Sequence, residues 1–140
     1  MTDKQTSACF IDSNIWIYAL AKQQDGAKQK TAAGLIQVSD VVISTQVINE
    51  VSINLKKKSS FSEEQLRQLV SAFYQGSRVV AFEKDILTQA SMLRRKYALS
   101  FWDSLIVASA CYAKVARLYS EDMQHGLVIN EQLEIVNPFR

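Results

Sequence analysis

Short apolar runs alternate along this chain with longer stretches in which apolar residues recur every three or four positions. Runs of the first kind suit strands buried on both faces, and stretches of the second kind suit amphipathic helices. The first run, Ala8 to Ile11, is followed at once by Asp12, then by Ser13 and Asn14, which are good helix starters, and by Ile15, Trp16, Ile17, Tyr18 and Leu20. The reading is strand, acid, helix. Asp25-Gly26 predicts a turn, and a second helix is expected from about Ala27 to Val38. Three β-branched residues, Val41-Val42-Ile43, form the second strand. Ser44 and Thr45 can cap the helix after it, where Val47, Ile48, Val51 and Leu55 share one face with Glu50 at its border.

Ser62-Glu63-Glu64-Gln65 is a capping-box pattern that opens a helix from Leu66 to Tyr74, with Gly76 as its stop. Arg78 to Phe82 predicts a third strand, and Glu83 to Tyr97 an amphipathic helix whose Arg94, Arg95 and Lys96 turn outward. From Phe101 to Ala113 there is one charge, Asp103, so this helix should be buried and central, with Trp102 in the core. A fourth strand should end in Ser120-Glu121-Asp122, and Leu133 to Val136 supplies a last one. Strands alternating with helices, without tight hairpins, predict a three-layer α/β/α sandwich with a central parallel sheet and right-handed crossovers.

The length of 140 residues fits one domain spanning 1–140, and 48% hydrophobic content is that of a globular chain. Sixteen basic and 14 acidic residues leave a net charge of +2, so any nucleic-acid binding must come from local patches. Cys9 and Cys111 fall in apolar segments without a Cys-x-x-Cys pair, and His125 is the one histidine. That argues against a common zinc site and for free thiols in a reducing cytoplasm. Met1 to Ser7 is polar and lacks an apolar signal core. No apolar run reaches the roughly 18 residues that span a bilayer, so no membrane partner is expected.

The chemistry rests on four acids. Asp12 and Asp122 should each end a strand, and in an open α/β sheet ligands sit beyond the carboxyl ends of strands. Asp103 lies in the first turn of a buried helix, where the dipole favours an anion. Glu50 lies near the start of the helix after the second strand, which faces the same edge. Each has a plain structural alternative. Asp12 suits a cap, Ser100-x-x-Asp103 is a capping-box pattern, Glu50 an edge position and Asp122 a turn. Glu121 competes with Asp122, because strand alternation lets only one of them point at Asp12. If the four converge, two carboxylates about 4 Å apart repel by roughly 4 kcal/mol at an effective dielectric near 20. A divalent cation offsets this, and oxygen donors alone select Mg²⁺ or Mn²⁺. Such a site suits phosphodiester hydrolysis.

Phe10-Ile11-Asp12-Ser13-Asn14, Asn49-Glu50, Trp102-Asp103-Ser104-Leu105-Ile106, Leu118 through Gly126 and Val136-Asn137-Pro138-Phe139 together resemble the PIN domain. More narrowly they resemble the VapC-type toxins of bacterial toxin–antitoxin pairs. The resemblance covers nearly the whole chain. It implies a Mg²⁺- or Mn²⁺-dependent endoribonuclease with RNA as substrate, a homodimer, and a cognate antitoxin that lays a segment across the active-site groove. An antitoxin arginine would then compete with the metal for carboxylate oxygens. The resemblance places the catalytic, metal-holding acids at Asp12, Glu50, Asp103 and Asp122. Asn14 and Ser120 would hold the carboxylates and metal waters in place.

His125 reads as structural, since a metal-activated water needs no imidazole base. Lys56-Lys57-Lys58 and Arg94-Arg95-Lys96 read first as solvated helix ends and second as RNA phosphate contacts. Two rival functions remain. A phosphotransferase with a phosphorylated Asp12 would want a second Asp where Asn14 stands, and a lysine at a later strand end. A non-catalytic RNA- or protein-binding module on the same fold would need no acidic cluster.

Overall fold

The computed structural model describes residues 8–21 and 25–140; the polar segment Met1–Ser7 lies outside them. Strand β1 (Ala8–Ile11) leads into helix α1 (Ser13–Leu20), then α2 (Gly26–Val38) and β2 (Asp40–Ser44). Helices α3 (Thr45–Lys58) and α4 (Glu63–Gly76) precede β3 (Arg78–Val80). Helices α5 (Lys84–Lys96) and α6 (Phe101–Tyr112) follow, then β4 (Arg117–Tyr119), β5 (Val128–Ile129) and β6 (Leu133–Val136).

The strands form one sheet in the order β3-β2-β1-β4-β6-β5. β1 pairs in parallel on both sides, with Phe10 opposite Val42 of β2 and Leu118 of β4. A strand so placed has no wet face, and Cys9, Phe10 and Ile11 are all buried. The chain steps from β1 to β2 to β3 in one direction and then returns past β1 to β4. Right-handed crossovers therefore put α1–α4 on one face and α5–α6 on the other. The packing agrees: α1 lies against α2 and α3, α3 against α4, and α5 against α6. This is the expected α/β/α sandwich.

Local signals set the helix starts. Ser44 Oγ accepts from the Val47 N–H at 3.4 Å, and Ser62 and Gln65 close both halves of their capping box. Asp25 caps α2 by accepting from the Lys28 N–H, so Asp25-Gly26 begins a helix rather than a free turn. The central helix is buried from Ser104 to Ala110, as its uncharged run requires.

Two differences from the expected layout matter. β5 and β6 form an antiparallel hairpin, with Ile129 opposite Leu133, where no hairpin was expected. Its tip puts Asn130 and Glu131 in the left-handed region (φ 50° and 57°), and glutamate is a poor signal for that conformation. β4 also stops at Tyr119, so Ser120–Asp122 lies beyond the strand. Strand alternation therefore does not govern which acid faces Asp12.

Leu118 is fully buried in β4 between β1 and β6. Leu118→Ala should lower the unfolding free energy by about 2–5 kcal/mol, read from the urea midpoint at unchanged slope.

A candidate carboxylate site at the sheet edge

All four acids reach the carboxyl edge of the sheet, by three routes. Asp12 follows β1 directly, and its N–H donates to Tyr119 O at 3.0 Å, one step past the β1–β4 ladder. Its Oδ1 accepts from the Ser13 N–H at 2.7 Å. Asp12 is therefore both a helix cap and an edge carboxylate; the two readings do not compete.

The 120–122 segment comes next to it because Ser120 N–H donates to Val136 O, which anchors the segment to β6. Fully buried Ser120 donates from Oγ to Asp12 Oδ2 at 2.8 Å, and the same Oγ accepts from the Asp122 N–H at 3.3 Å. Asn14, in the first turn of α1, closes the loop from the other side. Its Nδ2 donates to Asp122 Oδ2 at 3.1 Å, and its Oδ1 accepts from the Glu121 N–H at 3.2 Å. Asp12, Ser120, Asp122 and Asn14 thus form one hydrogen-bonded chain.

Glu50 and Asp103 join through their fields. α3 starts at the end of β2, and α6 leads toward the beginning of β4, so its own start lies at the opposite, carboxyl edge. Asp12 is 5% exposed, and burial pushes its carboxyl from 3.8 up to about 6, with the charges of Glu50 and Asp103 adding to the rise against the Ser120 and Ser13 hydrogen bonds. Glu50 accepts from Gln46 Nε2 at 3.3 Å. Ser100 Oγ accepts from the Asp103 N–H at 3.2 Å, which caps α6. The Asp103 carboxylate itself has no hydrogen bond or ion pair among the described residues.

Glu121 is used elsewhere. It accepts from Tyr18 Oη at 2.7 Å and pairs with Lys28, whose ammonium also lies 5.3 Å from the centre of the Phe139 ring. Asp122, not Glu121, is the acid hydrogen-bonded into the Asp12 chain.

The donor set is all oxygen, which suits a hard cation such as Mg²⁺ or Mn²⁺. Among the described residues, no three His, Cys, Asp or Glu side chains form a group that could hold a metal ion by themselves. Uncompensated carboxylates repel one another, and Mg²⁺ takes one or two carboxylates and completes its shell with water and phosphate oxygens. The donor chemistry is of the kind a hard cation takes, while among the described residues the acids do not stand as a preformed group of three.

Several side chains depart from their expected places. Trp102 is not core but 58% exposed, because it sits in the first turn of α6, ahead of the buried run. Arg94 is not free. It donates to Ser104 Oγ at 2.7 Å and covers the Phe101 ring at 4.5 Å. Lys56 pairs with Glu63. His125 Nδ1 accepts from the Asn137 N–H at 2.9 Å, a structural role that ties down the chain near its end. Trp16 is buried against Phe73 and donates to Ile11 O at 3.2 Å. Gln46 was overlooked, although its i,i+4 spacing to Glu50 was a usable signal.

The sequence model of the PIN domain matches residues 9–126. No curated protein matches the sequence significantly. A toxin–antitoxin complex from Klebsiella pneumoniae is similar in structure, with a TM-score of 0.71 at 20% identity over 93% of this chain and 97% of that one. VapBC2 from Rickettsia felis, bound to a promoter DNA fragment, gives 0.64 at 20% identity over 93% and 99%. The sarcin–ricin-loop-cleaving toxin VapC20 from Mycobacterium tuberculosis gives 0.61 at 20% identity over 79% and 86%.

The Asp12 carboxyl sets a pH test. Its folded value lies above its unfolded one, so its contribution to stability is fully present below pH 3.8 and lost as pH rises through about 6. Asp12→Asn, in EDTA, should stabilise the protein at pH 7.5 by on the order of 1–3 kcal/mol. The gain should vanish toward pH 4. Thermal melts of both proteins across that range check it.

Proposed function

This chain belongs to the PIN domain family, and on that premise we propose that it is a VapC-type toxin, a Mg²⁺- or Mn²⁺-dependent endoribonuclease restrained by an antitoxin. The observation that carries the reading is Asp12. A carboxyl buried at the end of the central strand, raised further by Glu50 and Asp103 and hydrogen-bonded toward Asp122 through Ser120, is costly without a cation. A binding module has no use for that cost.

In this reading Asp12, Glu50, Asp103 and Asp122 hold the metal. The cation, when bound, makes a water nucleophilic at neutral pH and offsets charge on the phosphate. The protein's own part is orientation. Ser120 fixes Asp12 Oδ2, and Asn14 fixes Asp122 Oδ2, so two carboxylates from distant parts of the chain keep one relative geometry. The Asp103 carboxylate, without a hydrogen bond among the described residues, keeps its lone pairs for the cation or its waters.

The similar structures come from toxin–antitoxin complexes and an RNA-cleaving toxin, which supports RNA as substrate and an antitoxin as partner. An arginine of that antitoxin, set against Asp12 and its neighbours, would take the place of the cation. A homodimer and a cytoplasmic location belong to the same reading. No helix among the described residues is long and apolar enough to cross a membrane, and Cys9 is a buried free thiol.

Purified protein without its partner should cut total cellular RNA into discrete bands with Mn²⁺ and not with EDTA. Asp103→Asn should lower the rate by about a hundredfold or more, and Asn14→Ala by roughly 10–100-fold. Equal RNA binding by wild type and Asp103→Asn, with no cleavage under either ion, would sink the nuclease and leave a binding module.

A further inference from the structure

Trp102 poses a question that the carboxylates do not answer. Phe101 and Trp102 are exposed side by side, at 55% and 58%, and contiguous exposed aromatic surface is the kind that serves a partner. Here it borders a cleft of about 390 Å³ whose walls are Thr45, Gln46, Asn49, Glu50, Phe82 and Trp102 itself. That volume lies in the range of small-ligand sites. The cleft shares Glu50 with the candidate site, so a molecule in it lies beside the carboxylates.

The Trp102 ring is exposed yet oriented. It meets Phe101 edge-on with centroids 5.4 Å apart. Phe101 is in turn held under the Arg94 guanidinium, and Arg94 donates to Ser104 Oγ, which donates back to Phe101 O. Half-buried Phe82 also lines the cleft. The polar side is also set. Gln46 Nε2 donates to Glu50 Oε2 and to Trp102 O, which leaves Gln46 Oε1 buried without a partner among the described residues. The opposite amide orientation would put Oε1 against two acceptors, so the oxygen's lack of a donor follows from its neighbours. The exposed Asn49 side chain has no hydrogen bond among the described residues.

We infer that this cleft is a nucleobase subsite for single-stranded RNA, in which a base next to the cleaved phosphodiester stacks on Trp102 and presents its polar edge to Asn49. The inference rests on the nuclease reading above and adds to it the part of the substrate that the carboxylates do not touch. A planar ring with hydrogen-bonding groups on its edge matches an aromatic platform beside the exposed Asn49 amide. An aliphatic side chain would fill the space and leave the Asn49 amide unmet. Gln46 also acts as a positioning residue, since it links Glu50 on α3 to the start of α6.

The chain has two tryptophans, and Trp16 is 7% exposed, so quenching by a solvent-side ligand reports on Trp102. Single-stranded octaribonucleotides, titrated in EDTA, should quench the wild-type emission. Trp102→Ala should weaken their binding roughly tenfold, and Trp102→Tyr should largely restore it. With Mn²⁺, Trp102→Ala should raise KM by a similar factor, leave kcat little changed and alter the preferred cut sites. Trp102 is exposed, so a matching melt shows that each variant is folded. Wild-type cleavage with unchanged KM and cut sites in Trp102→Ala overturns the subsite and leaves the nuclease standing. A wild type that cleaves no RNA overturns the nuclease, and the titration in EDTA still decides the subsite. No quenching by any octamer overturns the subsite, and quenching only by an amphipathic helical peptide overturns it and gives the cleft to a protein.

Discussion

The structure turns on one buried carboxylate held at the end of the central strand. Asp12 leaves water because β1 is paired on both sides and covered on both faces, and the residue after such a strand has nowhere else to go. Its oxygens are met by the Ser13 N–H and the Ser120 hydroxyl, two hydrogen bonds that hold an anion but do not fully replace its hydration. The charges of Glu50 and Asp103 make the position dearer still. The fold supports this through the β1–β4 and β4–β6 pairings, which bring Ser120 to Asp12. A free-energy cost concentrated at one edge of a well-packed sheet is a common mark of a functional site.

Stability and chemistry therefore pull on the same residue. The apolar strands and the buried run of α6 give the framework enough rigidity to keep Asp12 where it is unfavourable. The hydrogen-bonded path from Asp12 through Ser120 and Asp122 to Asn14 spreads that constraint across α1 and the segment after β4. Glu50 is held differently, through Gln46, which also grips the backbone of Trp102. One half of the edge is thus fixed from the strand ends, and the other half by a link between two helices.

Much of this was legible in the sequence, and the residues show why. Ala8–Ile11 and Val41–Ile43 are short and wholly apolar, so their place in a parallel sheet follows from composition. The lone charge of Asp103 in an apolar helix marked both the burial of that helix and the interest of the acid. The hairpin at Val128–Leu133 was hidden because its tip uses Glu131 in a left-handed conformation, without a glycine to announce it. Trp102 was misplaced because helical periodicity gives the face of a residue and not how far the covering layer extends past the helix start. Glu121 and Asp122 could not be separated by alternation, since the strand ends before them. Glu121 is taken up by Lys28 and Tyr18, more than ninety residues away in the chain, and Asp122 by Asn14 and Ser120.

The pairing of β4 between β1 and β6 also has a meaning in time. The four acids come from positions 12, 50, 103 and 122, and Ser120 is anchored to Val136, four residues from the last position of this sequence. A chain emerging from the ribosome holds Asp12 and Glu50 long before it holds their counterparts. The contacts that join them, from Ser120 to Asp12 and from Ser120 to Val136, all span distant parts of the sequence. The edge is thus a product of long-range pairing, and no local stretch of the chain holds it by itself.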